Sequence, residues 1–211
     1  MKTAFVLSFM IFLVSMQNRT GPDSRPVILA FGDSLTAGYG VQPDAAYPVR
    51  LQRRLDERGH KYRVVAMGIS GDTTSGGKAR LKQALDQKPA IVILELGAND
   101  GLRGLPIPRM QMNLEDMIKE FQKAGAKVVL AGMTLPKNYG DAYVKPFENV
   151  FRDLAQKYNL PLIPFFLEGV AGNPKYTLED LIHPNADGYV LVTDIVMKTL
   201  DRYFFKPATG K

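Results

Sequence analysis

With two histidines and no cysteine, the chain has few ways to do chemistry. A thiol nucleophile, a disulfide, an iron–sulfur cluster and a thiolate zinc site are all excluded, and two imidazoles are too few for a multi-histidine metal cage. Work at a reacting centre therefore falls to oxygen nucleophiles, carboxylates, amides and a single imidazole. His183 closes the run Asp180, Leu181, Ile182, His183, ahead of Pro184. In a helix or turn, a three-residue separation puts both side chains on one side, so Asp180 can fix the tautomer of the His183 ring. His60 sits in the charged connector Arg58, Gly59, His60, Lys61 and reads as solvent-exposed. An imidazole oriented by a carboxylate is a general base, and the partner it needs is a hydroxyl.

Three further short motifs each follow an apolar run. Gly32, Asp33, Ser34 and Leu35 come directly after Val27 to Phe31. Gly32 leaves room for a turn, and Ser34 then stands at a strand end with its hydroxyl outward and its amide near a helix start; an ordinary helix N-cap is the competing reading. Gly68, Ile69, Ser70, Gly71, Asp72 and Thr73 follow the second run, where Gly71 can offer an unobstructed N–H or simply supply a positive φ. Glu95 to Gly101 closes the third run and carries Asn99, either an amide donor to developing negative charge or a common turn former. Asp33 and Asp72 read as local hydrogen-bond acceptors that hold these loops.

The elements that must position these groups are legible from hydrophobic pattern. Val27 to Phe31, Tyr62 to Met67, Ala90 to Leu96, Lys127 to Gly132 and Leu160 to Phe166 are nearly unbroken apolar runs, as strands buried on both faces of a parallel sheet should be. Helical periodicity lies between them, around Tyr47, Leu51 and Leu55; around Ala79, Leu81 and Leu85; around Leu114, Met117 and Phe121; and around Phe147, Val150 and Leu154. A last helix is predicted to open with Pro184 in its first turn and to carry Val190 through Leu200. Alternating strands and helices predict one α/β domain, a three-layer α/β/α sandwich on a five-stranded parallel sheet of flavodoxin-like type. Right-handed crossovers place every strand-to-helix loop on one edge, where ligands bind in such sheets.

Taken together these blocks resemble the SGNH or GDSL hydrolase family, named for a serine, glycine, asparagine and histidine in that order, here Ser34, Gly71, Asn99 and His183. The resemblance runs from about residue 27 to 202 and is strongest with the branch of bacterial periplasmic arylesterases, acyl-CoA thioesterases I and lysophospholipases. It extends to Gly38 and Tyr39, Glu95 to Gly104, Leu135 and Pro136, Asn138 to Gly140, and Pro164 to Phe166; the departures are at Ala98 and in the leader. It implies a serine hydrolase of carboxylic esters or thioesters, with Ser34 as nucleophile, His183 as base and Asp180 as its support. The implied oxyanion hole comprises the N–H groups of Ser34 and Gly71 and the Asn99 amide. No cofactor or metal is implied. Leu135, Pro136, Tyr139 and Tyr143, on the segment after the fourth strand, are expected to wall the acyl chain, with Leu102, Leu105 and Ile107 as the opposing lip.

Two enzymatic alternatives share this architecture. A carbohydrate O-deacetylase would use the same reacting groups with a different pocket, and a phosphoryl-transfer enzyme would hold Mg²⁺ on Asp33, Asp72 and Asp100. The chain carries 27 basic and 21 acidic residues, a net charge of +6. The cations, including Arg50, Arg53, Arg54 and Arg58 and then Lys78, Arg80 and Lys82, read as solvated helix faces. No nucleic-acid groove is expected, and at most weak association with a membrane surface. The expected partner is a small acyl ester or thioester, and the sequence sets no oligomeric state. Ala4 to Met16, about thirteen apolar residues after Lys2, is long enough for a signal-peptide core but short of the ~20 that span a bilayer. Residues 1–24 are thus expected to be an export leader and linker, residues 25–211 the catalytic domain, and the protein periplasmic or secreted.

Overall fold

A computed structural model describes residues 23–205, so the apolar run expected to act as an export signal lies outside the described residues. Five parallel strands form in the predicted places: β1 (Val27–Gly32), β2 (Arg63–Gly68), β3 (Pro89–Glu95), β4 (Lys127–Ala131) and β5 (Leu162–Ile163). They pair in the order β2-β1-β3-β4-β5. Burial on both faces holds for β1, whose six residues are all buried, and nearly so for β3. Strand β2 is only half-buried along most of its length, because it is an edge strand with one neighbour. Strand β5 has two residues where the apolar run predicts seven. Pro161 and Pro164 bracket it, and proline has no N–H to give to a ladder.

Helices cover both faces. On one side α2 (Tyr47–Glu57) packs against α8 (Ala186–Tyr203); on the other, α3 (Thr74–Ala79), α6 (Ile107–Lys123) and α7 (Asp141–Lys157) pack side by side. Aromatic contacts lock the layers to the sheet: Phe31 of β1 meets Phe121 of α6 edge-on at 5.7 Å, and Tyr47 meets Phe166 at 5.3 Å. Two helix starts differ from expectation. Helix α8 begins at Ala186, after Pro184, because the Asn185 side chain accepts the otherwise unpaired N–H groups of Asp187 and Gly188. The periodic segment around Ala79 is two short helices, α3 and α4 (Leu81–Leu85), broken at Arg80.

Arg80 also corrects the reading of its stretch as a solvated face. Its guanidinium is buried, donating to Asp72 Oδ2, Met67 O and Gly32 O, each at 2.8 Å, and it lies 4.0 Å above the Phe31 ring. The carboxyl ends of β1 and β2 bring the carbonyls of Gly32 and Met67 side by side, and the planar fork of arginine reaches both at once. Arg80→Met keeps the apolar stem but removes the three donated hydrogen bonds and leaves the Asp72 carboxylate without its cation in the interior. It is expected to cost ~3–5 kcal/mol, read as a lower urea midpoint at unchanged slope.

Candidate active site

The sheet order reverses direction between β1 and β3, since the chain leaves β1 towards β2 on one side and later returns to place β3 on the other. Such a switch point opens a crevice at the carboxyl edge. Gly32 pairs in register with Gly68 of β2 and with Glu95 of β3, so three strands end in one row. Ser34, Gly71 and Asn99 each lie a few residues beyond that row, and neighbouring strands are only ~4.8 Å apart. Gly32 is required for room: a Cβ there would lie 2.2 Å from Thr36 Oγ1 and 2.3 Å from Glu95 Oε2. Gly68 serves the same end, with the Ala37 amide where its Cβ would be, 2.2 Å away.

Ser34 is the first residue of a one-turn helix, α1 (Ser34–Ala37), and is buried. Asp33, not Ser34, is the N-cap, accepting the Leu35 N–H at 3.0 Å, so the serine hydroxyl is left for other work. Ser34 Oγ lies 2.9 Å from His183 Nε2. His183 Nδ1 is 2.6 Å from Asp180 Oδ2, while Asp180 Oδ1 accepts the N–H groups of Ile182 and His183. The turn that permits this puts Leu181 at φ +59°, a conformation a leucine adopts only under constraint. Burial opposes ionisation of Asp180, but hydrogen bonds from the His183 ring and the two backbone N–H groups outweigh it and hold the carboxyl below its ordinary value. A carboxylate at Nδ1 keeps the ring proton there and turns the Nε2 lone pair towards Ser34. The half-exposed Tyr39 ring covers the imidazole at 4.6 Å between centroids.

The donors predicted for the oxyanion differ in readiness. The N–H groups of Ser34 and Gly71 donate to no other described residue. Gly71 has φ +80°, which favours glycine. Asn99, in α5 (Ala98–Leu102), already spends both amide hydrogens, on Asp33 Oδ2 at 3.0 Å and on Asp72 O at 2.9 Å. Either bond must lengthen or be shared before Asn99 can bind anything else.

A cavity of about 500 Å³ opens beside Ser34, within the size range of small-molecule sites. Leu135 and Pro136 line it, as does Leu102 from the predicted opposing lip. Tyr139 and Tyr143 stand outside the lining. Their hydroxyls instead donate to the carbonyls of Leu102 and Gly101, clasping the loop that carries Leu102. Sequence reasoning missed Met133, Phe165, Leu167 and the pair Leu181 and Ile182, all of which line the cavity. The last pair carried a signal: any turn that brings Asp180 to His183 must bring the two residues between them.

Other expectations change. His60 is half-buried, stacked 4.0 Å from the Phe205 ring. Asp72 ties its loop through Arg80 Nε rather than through backbone donors. Asp100 accepts both the N–H and the hydroxyl of Thr74, so Asp33, Asp72 and Asp100 are each committed to separate partners. Among the described residues, no three histidine, aspartate or glutamate side chains gather as a metal site would require. Glu95, fully buried beneath Ser34, carried no role in the sequence reading.

Comparison with known proteins agrees with this geometry. The model of the GDSL-like lipase/acylhydrolase family matches residues 30–191. Esterase TesA of Pseudomonas aeruginosa is 42% identical over 182 residues, covering 86% of this chain and 89% of the relative. Thioesterase 1/protease 1/lysophospholipase L1 of Escherichia coli K12 is 38% identical over 191 residues, covering 90% and 89%. The crystal structure of TesA superposes with a TM-score of 0.81 at 42% identity, over 83% of this chain and 98% of that one. A serine, glycine, asparagine and histidine gathered at one sheet edge, and a family match across most of the described residues, lead to one statement: the chain belongs to the GDSL-like lipase/acylhydrolase family.

Proposed function

We propose that this chain is a carboxylic ester hydrolase that cleaves esters or thioesters of apolar acyl groups through an acyl-enzyme on Ser34. The observation that carries the reading is the continuous contact from Asp180 Oδ2 through the His183 ring to Ser34 Oγ, at 2.6 and 2.9 Å, on the wall of an apolar cavity. His183 Nε2 takes the hydroxyl proton as Oγ bonds to the substrate carbonyl carbon. Asp180 stabilises the imidazolium so formed, and His183 then protonates the departing alcohol or thiol. Water, deprotonated by the same ring, attacks the acyl carbon, and its proton returns to Ser34 as the acid leaves. The tetrahedral oxyanion is bound by the N–H groups of Ser34 and Gly71 and by Asn99, which shares a hydrogen now given to Asp33 or Asp72.

An apolar lining favours an acyl chain over the sugar of a carbohydrate O-deacetylase, since buried hydroxyls without partners would be penalised. Thioesters suit the site equally, because the same carbonyl is attacked and only the leaving atom differs. The residues that would route the chain to the periplasm or medium are those of the apolar leader at 4–16.

Ser34→Ala and His183→Ala, at equal folded fraction, are expected to lose on the order of 10³-fold or more in kcat against a p-nitrophenyl ester series, and Asn99→Ala ~10²–10³. An alkyl phosphonate should label Ser34 stoichiometrically in the wild type and not at all in Ser34→Ala. Leu135→Ala deepens the cavity, and each added methylene is worth ~0.8 kcal/mol when buried, so the preferred ester should lengthen. Fractionation of cells making the full chain, beside a form lacking residues 1–24, should place the first outside the cytoplasm and the second within it.

A further inference from the structure

Glu95 is the last residue of β3 and is wholly buried. Its Oε2 accepts the Thr36 hydroxyl at 2.8 Å and the Asp33 N–H at 3.2 Å, so one oxygen grips both ends of the turn that presents Ser34. Its Oε1 is buried with no hydrogen-bond partner. The neighbouring Asp33 carboxyl has donors on both oxygens, Leu35 N–H on Oδ1 and Asn99 Nδ2 on Oδ2. Two buried carboxyls thus sit together in unequal surroundings. We propose that Glu95 is a positioning residue that works as a neutral carboxylic acid, fixing the Ser34 turn through Oε2 and leaving the one negative charge beneath the site on Asp33, where it anchors Asn99.

An ionised Glu95 would leave half its charge on Oε1 in the interior with nothing to solvate it, whereas a protonated Oε1 leaves only an unpaired hydroxyl. The other groups around the pair do not reverse this. Tyr47 reaches Thr36 from α2, and Tyr189 projects from α8 with a buried, unpartnered hydroxyl; neither brings a positive charge. His183 favours the charged form of Asp33, and the nearby cation, Arg80, is engaged with Asp72 and two carbonyls. Burial and then the Asp33 charge push Glu95 well above its ordinary value, while the rise that burial gives Asp33 is opposed by the Leu35 N–H, Glu95, His183 and the Asn99 amide, so Glu95 is the member of the pair that holds the proton. Environments that separate two adjacent carboxyls in this way assign them different roles.

The inference rests on the acyl-transfer reading for its kinetic arm but not for its spectroscopic one. Glutamate is carboxyl-labelled with ¹³C in the wild-type protein, and Glu95 is the one buried glutamate among the described residues. At pH 7.5 the infrared spectrum should show a protonated carboxyl C=O band that shifts with the label; a spectrum with carboxylate bands alone overturns the proposal, whatever the enzyme turns over. In the kinetic arm, Glu95→Leu removes the acceptor and should lower kcat on the order of 10²-fold with KM little changed, as displacement of a nucleophile does. Glu95→Gln, neutral and of the same shape, should restore kcat and overlay the wild-type pH profile. A Gln variant whose acid limb moves to lower pH would mean that a negative charge had been removed, and would also overturn the proposal. The two readings fail separately: wild-type turnover in Ser34→Ala with the infrared band present overturns the acyl-transfer reading alone, and a Ser34→Ala variant without turnover beside a wild-type spectrum lacking the band overturns this proposal alone.

Discussion

A carboxyl at the end of a fully buried strand constrains everything around it. Asp33 follows β1, whose six residues are all buried, and its carboxyl is nearly as enclosed as they are. An unpaired ion there would cost several kcal/mol, so donors must be brought to it. One comes from its own turn, the Leu35 N–H, and the other from across the switch point, the Asn99 amide. Because that amide also holds Asp72 O, a single side chain joins the loops that follow β1, β2 and β3. Arg80 repeats the arrangement one layer below with Gly32 O, Met67 O and Asp72. The catalytic edge is therefore built on polar satisfaction in the interior, with hydrophobic packing supplying the walls.

Most of the fold was legible because buried parallel strands leave an unmistakable apolar run, and because glycine, proline and asparagine mark the ends of elements for steric reasons. The meeting of Ser34, His183 and Asp180 was legible because few chemistries remain to a chain without thiols and because the three-residue spacing pairs Asp180 with the ring. What escaped was set by long-range pairing. Nothing in the spacing of Arg80 distinguishes it from Lys78 or Lys82, which reach exposed acids on the surface, and its burial depends on two strand ends meeting above Phe31. Glu95 ends an apolar strand, where the pattern favours another aliphatic residue, and its partners lie some sixty positions earlier in the chain. His60 looked solvated because Phe205, the ring that covers it, comes from the far end of the domain.

The cavity wall divides labour in a way composition alone did not suggest. Aliphatic residues such as Leu135 and Leu102 face the cavity, while Tyr139 and Tyr143 grip backbone carbonyls behind it. A tyrosine hydroxyl finds a partner when its ring is packed, and here the partners are the carbonyls of the last two residues of α5, Gly101 and Leu102. The two sides of the crevice are thereby tied to each other as well as to the sheet.

Strand β5 contributes only Leu162 and Ile163 to the sheet. From Pro164 to the cap of α8, the chain that delivers the imidazole is held by the Phe166 N–H on Gly132 O, by the buried side chains of Phe166, Leu167 and Val170, by the Asn185 side chain and by a bridge between Thr177 and Pro184. Ser34 and His183 thus belong to separately anchored parts, the one at the end of a sheet strand and the other on a long connection pinned by its side chains. Residues of that connection that line the cavity without making the Ser34 contact, such as Leu167 and Ile182, can therefore be exchanged to admit a different acyl group while Asp180, His183 and the serine turn keep their places.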